Sequence, residues 1–335
     1  MVGLTVTQGR SRTSPSRTFP PNLSQVRIYE TEGYDGRCLD MCLPRPVLPN
    51  QTYMITRRCL GRRFLLRPDD TLNNAFVYCL ALAAKKHGVQ VHALSVMSNH
   101  YHLVITDTLA VLPDFMAWLN RQLAMCVKRL RGWDEVVWEP NVTYSSVELG
   151  GASEVLDKVA YVILNPVSAA LVRSPERWPG ALSTLETLRL GTIEAKRPAV
   201  WFKDNAPETA SLLLSAPPCL SDQADYLEAL DALTASRLLQ VRAELRRQGQ
   251  GFLGRARVRK TAVSDQPAAK KQRFGLNPTF SALTAAAWRA AVQKLRGFRR
   301  AYRVAYEMWR SGERIVEFPA GTWWVVRHAG ATAAT

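Results

Sequence analysis

The chain has 335 residues, 47% of them hydrophobic, and a formal net charge of +16. That apolar content can bury a real core, which excludes a wholly disordered chain, and the length suits about two domains. No apolar run approaches the roughly 20 residues that span a bilayer, and the N-terminus has no apolar signal stretch, so no membrane role is expected.

Residues 1–48 form the first segment, and they read as an N-terminal arm, largely disordered. The arm is rich in Ser, Thr and Arg and carries no acidic residue before Glu30. A transit peptide has the same composition, but a basic arm is the simpler reading. A catalytic domain is expected over 49–190. Gln51 to Arg58 alternates like a strand. Pro68, Asp69 and Asp70 then start a helix in which Leu72, Phe76, Cys79, Leu80 and Ala83 recur at helical spacing until Gly88 stops it. Val91–Met97 and Tyr101–Thr106 read as two strands joined by a tight turn at Ser98-Asn99. An amphipathic helix follows from Pro113 to Leu130, then a fourth strand from Val136 to Ser146 with Pro140 at an edge or bulge. A last helix starts at Ser153 and Glu154 and carries Tyr161. The order predicts an α+β fold, an antiparallel sheet with helices on one face.

Beyond this unit a helical extension is expected over 191–248, with Leu227, Leu230, Leu233, Leu238 and Val241 as its apolar positions. A basic linker is expected over 249–273 and a basic, mostly helical C-terminal region over 274–335. There Trp288, Val292, Leu295, Phe298, Tyr302 and Trp309 make an apolar stripe, and arginines follow one position behind. Between Arg242 and Arg303 sixteen Lys and Arg stand against Glu244 and Asp265, a local charge of +14. Such a stretch is either a solvated charged face or a surface for a polyanion. The residues that would contact nucleic acid are Arg255, Arg257, Arg259, Lys260, Lys270, Lys271, Arg273, Arg296, Arg299, Arg300 and Arg303. The aromatic stripe fits a helix core better than a base-stacking surface. The six cysteines, at 38, 42, 59, 79, 126 and 219, include one close pair and no second to complete a zinc site, so buried reduced thiols are expected.

Chemistry points to two short segments. In Asn99-His100-Tyr101-His102-Leu103-Val104-Ile105 both imidazoles lie on one strand face, about 6–7 Å apart. The opposite face, Tyr101, Leu103 and Ile105, is left for the core. The histidines can converge on one cation or sit unengaged on a wet sheet face. In Tyr161-Val-Ile-Leu-Asn165-Pro166-Val167, Tyr161 and Asn165 stack one helical turn apart. They can be a nucleophile beside a metal ligand, or a core tyrosine followed by an Asn-Pro turn. The residue before a proline is pushed from helical angles, so the helix is expected to kink at or end with Asn165.

Together, a His-x-His strand and a downstream Tyr-x3-Asn-Pro-Val helix resemble the HUH-type single-tyrosine transposases, specifically the REP-associated group. The likeness runs from Pro49 to Leu185 and departs at Tyr101, where the family carries a hydrophobic residue, and at Ser168, where it carries a basic one. The resemblance implies a ferredoxin-like core and a Tyr161 nucleophile. It further implies Mg²⁺ or Mn²⁺ held by His100, His102 and Asn165, and a single-stranded, hairpin-forming DNA substrate. Cleavage and strand transfer would run through a covalent 5′-phosphotyrosine. A prokaryotic cytoplasmic, nucleoid-associated location would follow, with monomer and homodimer both open. The rival readings are a catalytically silent DNA-binding protein of the same fold and a zinc-dependent hydrolase.

Overall fold

The computed structural model describes residues 44–140, 143–220, 222–267 and 279–334. Its centre is β1 (Gln51–Arg58), α1 (Asp70–His87), β2 (Val89–Val96), β3 (His100–Asp107), α2 (Leu112–Arg131) and β4 (Ser145–Leu149). The strands lie in the order β2-β3-β1-β4 with every neighbour antiparallel. This βαββαβ arrangement is the expected α+β, ferredoxin-like sheet. Local chemistry sets the helix ends. Asp69 accepts a hydrogen bond from the Leu72 amide at the start of α1, and Gly88 closes it in the left-handed conformation at φ 66°.

Helices α1 and α2 cover the face of Tyr101, Leu103 and Ile105. The Tyr101 ring meets Phe76 edge-on at 5.2 Å, and its hydroxyl donates to Asn120 Oδ1 at 2.7 Å. The other face also carries apolar side chains, since Met54 and Val104 are buried there beside His102. α3 (Ala152–Ser168) covers that second face, so the sheet has helices on both sides rather than one. α5 (Gln223–Arg247) backs α3, with Arg237 Nη1 donating to the Asp157 carbonyl at 3.1 Å.

Several expectations need correcting. The fourth strand lies at Ser145–Leu149, not over Val136–Ser146. Trp138 makes only an isolated bridge to Cys59, and its indole donates to the Asn120 carbonyl at 2.8 Å, so this stretch caps the α2 face instead of extending the sheet. α3 runs through Pro166 to Ser168; the proline removes one backbone donor, while Ala169 N still reaches the Asn165 carbonyl at 3.0 Å. The extension after residue 191 begins with a two-stranded antiparallel sheet, β5 (Thr192–Lys196) and β6 (Thr209–Leu213), packed on α1. The supposed arm is anchored at its end: Arg45 Nη1 donates to Ser146 Oγ at 3.1 Å, and Val47 N to the Gly321 carbonyl at 2.9 Å. Residues 1–43 lie outside those described.

The stretch read as a linker contains α6 (Arg255–Lys260) and is docked, because Val258 is buried against Met97, Val167, Val172, Trp178 and Leu182. In the C-terminal region, β7 (Phe280–Ser281) adds a fifth, parallel strand beside β4, and α7 (Ala285–Arg310) follows. α7 packs Tyr302 and Trp309 around Phe318 of β8 (Glu317–Phe318), so those two aromatics are core. β8 pairs with β9 (Thr332–Ala333) across α8 (Trp324–Ala329). Cys59, Cys79 and Cys126 are buried free thiols, whereas Cys219 is exposed. No described helix is long and apolar enough to cross a membrane.

His92 sits wholly inside this fold. Its Nδ1 lies 2.9 Å from the Ser215 carbonyl, which can only accept, so that nitrogen carries the proton. Nε2 then accepts from Thr106 Oγ1 at 2.8 Å, and Thr106 in turn meets Thr52 Oγ1 at 2.8 Å. Burial pushes the His92 pKa down to about 4. Above pH 6.5 the ring is neutral folded or unfolded and costs nothing; as the pH falls from 6.5 toward 4, the unfolded chain takes up the proton first and stability drops. Over that window the loss from this one ring approaches about 3 kcal/mol. Urea unfolding at pH 7 and pH 4.5 checks this: His92→Asn should lower stability at pH 7 yet lose distinctly less than the wild type on acidification.

Candidate active site

β1 and β3 build the floor of the site. Their register sets Thr56 opposite His102 and Arg58 opposite His100. Opposed residues point to the same face, so all four side chains share the surface beneath α3. The His100 and His102 rings stand 4.7 Å apart, nearly perpendicular, and the Tyr161 ring meets His102 edge-on at 5.6 Å. Asn165 lies one turn along α3 from Tyr161 and is buried, and its side chain favours ionisation of the Tyr161 hydroxyl. The structure therefore brings His100, His102, Tyr161 and Asn165 into one cluster.

Each imidazole is oriented by a neighbour. His100 Nδ1 donates to Asn99 Oδ1 at 2.6 Å, which leaves Nε2 with its lone pair. Asn99 is itself held, since its amide nitrogen donates to the Arg62 carbonyl at 3.2 Å. His102 Nδ1 lies 2.8 Å from Thr56 Oγ1, and its Nε2 is buried with no hydrogen-bond partner among the described residues. Burial first, then the charges of Arg58 and Arg62, lowers the His100 pKa to about 4. His102 is driven well below the usual imidazole value by burial, by His100 and by Arg58. Both rings are neutral at neutral pH, the form that ligates metal. An unpartnered Nε2 beside a second neutral imidazole and a carboxamide fits a divalent cation with open coordination positions. Among the described residues no group of three His, Cys, Asp or Glu side chains could hold a metal, so this mixed set depends on Asn165.

Tyr161 is 41% exposed as a residue, although its hydroxyl end is largely desolvated. Desolvation raises its pKa, while the bond from Asn165 and the charge of Arg58 oppose the rise. A phenol held protonated needs help to act as a nucleophile at neutral pH.

The basic residues divide. Arg255, Arg257 and Lys260 are exposed on α6, and Arg259 pairs with Asp70. Lys270, Lys271 and Arg273 lie outside the described residues. Arg296, Arg299, Arg300 and Arg303 belong to α7, which attaches far from the histidines: Lys294 bonds Glu148 at 3.1 Å, and Glu148 pairs with Tyr53, five residues back from Arg58 along β1. At strand rise that is about 17 Å. Thr56, Arg58, Arg62 and Asn99 belong to the site without having been expected there. The alternation of Thr56 and Arg58 on β1 was visible, but which strand they would face was not.

No known protein-family model matches this chain, and no curated protein matches it. Among solved structures, one described as a REP-associated tyrosine transposase bound to a REP hairpin shares 17% identity at a TM-score of 0.37, over 50% of this chain and 94% of the other. A second, described as a transposase from Deinococcus radiodurans R1, shares 21% identity at a TM-score of 0.27, over 37% of this chain and 97% of the other.

The bond between Thr56 and His102 yields a direct test. Thr56→Val keeps the side-chain volume but removes the orienting hydroxyl, and Mn²⁺ affinity, read by electron paramagnetic resonance, should weaken by about 10- to 100-fold while the circular dichroism stays unchanged.

Proposed function

We propose that the chain is a metal-dependent single-stranded DNA nicking and rejoining enzyme of the tyrosine transposase kind, with Tyr161 as nucleophile. The observation that carries this reading is the gathering of the His100, His102 and Tyr161 rings, with Asn165 one helical turn from Tyr161 and the Nε2 of His102 buried and unpartnered among the described residues. The paired His-x-His and Tyr-x3-Asn-Pro-Val motifs support it from the sequence side.

The residues divide the work. His100, His102 and Asn165 would hold Mg²⁺ or Mn²⁺, and the ion would supply positive charge to offset that of a scissile phosphate. Asn165, one turn from Tyr161 on α3, would also steady the Tyr161 hydroxyl for attack. In the reaction the Tyr161 oxygen forms a bond to phosphorus as the P–O3′ bond breaks. The phenolic proton leaves to solvent, and the departing 3′ oxygen takes one up. The product is a 5′-phosphotyrosine that another 3′-hydroxyl can reverse, so a strand is transferred without a nucleotide cofactor. A hydrolase would require a held water in place of the phenol, and the exposed Tyr161 beside the histidines favours the phenol.

The substrate in this reading is DNA presented single-stranded next to a hairpin. The charge on α6 and α7 supplies affinity for its phosphates without reading sequence. A DNA-binding protein with no chemistry is the alternative, and covalent attachment separates the two. Tyr161→Phe should abolish a denaturation-resistant protein–DNA adduct while leaving DNA affinity within about twofold. Persistence of the adduct in that variant would end the reading. Replacing Arg296, Arg300 and Arg303 together by Gln should flatten the salt dependence of binding, by about 0.7 in the log–log slope for each single-strand phosphate no longer neutralised. Fluorescence anisotropy over a salt series measures it, and an unchanged slope would remove α7 from the DNA surface.

A further inference from the structure

The groups acting on His100, His102 and Tyr161 share a feature that the histidines alone do not explain: among the described residues, the charged side chains that act on them are the cations Arg58 and Arg62. These charges weaken the hold of the imidazoles on a divalent cation and favour an anion beside it. Arg58 is placed for that anion. It ends β1 opposite His100, two residues beyond Thr56, whose hydroxyl meets His102, so alternation puts the guanidinium on the histidine face. Arg57 points the other way, over the Trp138 ring at 5.7 Å. Arg58 is exposed, and among the described residues its guanidinium makes no hydrogen bond or ion pair. An arginine left unpaired beside a phenol and two neutral imidazoles presents a planar fork of donors to solvent.

We propose that Arg58 is a catalytic residue of this site: its guanidinium grips the non-bridging oxygens of the scissile phosphate next to Tyr161. The assignment rests on the strand-transfer reading above and adds a substrate contact to it. While the Tyr161 oxygen bonds to phosphorus and the 3′ oxygen departs, negative charge gathers on the equatorial oxygens. Arg58 meets that charge without accepting or donating a proton. Its field also works on the neighbouring metal ligands, where it opposes a cation until the phosphate arrives. Arg58 therefore affects metal and substrate in opposite directions.

That opposition is the test. The probe is a pool of 3′-labelled single-stranded oligonucleotides, each with a foldback hairpin and randomised flanks, incubated with Mn²⁺ and the full-length protein. R58Q should slow adduct formation by two to three orders of magnitude, with R58K between it and the wild type. Mn²⁺ affinity without DNA should be unchanged or a few-fold tighter in R58Q. In the Tyr161→Phe background, which does no chemistry, R58Q should lower the salt slope of oligonucleotide binding by about 0.7, the share of one neutralised phosphate. Wild-type adduct formation in R58Q overturns the proposal. So does a parallel loss of Mn²⁺ binding, because Arg58 would then merely support the metal site. If the wild type itself forms no adduct, the strand-transfer reading fails separately, and an unchanged salt slope then also dismisses Arg58 as a phosphate ligand.

Discussion

The pairing of β1 with β3 in one register is the constraint on which the site depends. It aligns Thr56 with His102 and Arg58 with His100, and it sends Arg57 and Tyr101 to the opposite, packed face. Side chains alternate with a period of two, so a slip of one residue would place Arg57 beside the histidines and bury Arg58 against Trp138. The apolar residues prevent it. Ile55 and Leu103 face the α1 and α2 layer, while Met54 and Val104 face α3, and a slipped strand would expose one set to the wrong layer. Hydrophobic burial thus aligns the polar groups, although none of the apolar residues takes part in the chemistry.

Outside that pair the site is supported from several directions. The turn at Leu60–Arg62 holds Asn99 through the Arg62 carbonyl, and Asn99 orients His100. The α6 segment reaches the same region, where Phe64 N donates to the Asp265 carbonyl at 3.0 Å and Arg67 Nη1 to the Thr261 carbonyl at 3.1 Å. At its other end Leu253 N and Gly254 N bond the carbonyls of Ala170 and Leu171, just after α3. One strap therefore touches both the element that carries Tyr161 and the turn that steadies His100. A sequence stretch dense in Arg and Gly looks like a tether, but Val258, with Phe252, docks it among Met97, Val167 and Trp178.

Charge is distributed between two distinct places. Arg58 and Arg62 lie at the histidine end of the sheet, where Arg58 lowers the pKa of both imidazoles and Arg62 that of His100. Helix α7, which carries the other arginines, is attached at the opposite end of the sheet through Lys294 and Glu148 and through β7 beside β4. Net positive charge alone does not distinguish these roles. A surface array adds salt-dependent affinity, whereas a guanidinium beside buried imidazoles shifts their protonation.

The sequence by itself determined the order of elements through the first sheet, because alternation, helical spacing, the Asp69 cap and the Gly88 stop are local signals. It also marked His100, His102, Tyr161 and Asn165, whose spacings place each pair on one face of its own element. It misplaced the fourth strand, because an aromatic and β-branched stretch suits a capping loop as well as a strand, and it misread α6 as a linker. Only the tertiary structure decided which elements meet. That β1 lies against β3, that α3 crosses the histidine face and that Arg58 stands beside His100 follow from pairings between residues dozens of positions apart. Such pairings depend on how whole apolar faces are buried, a property of the assembled layers and not of any short segment.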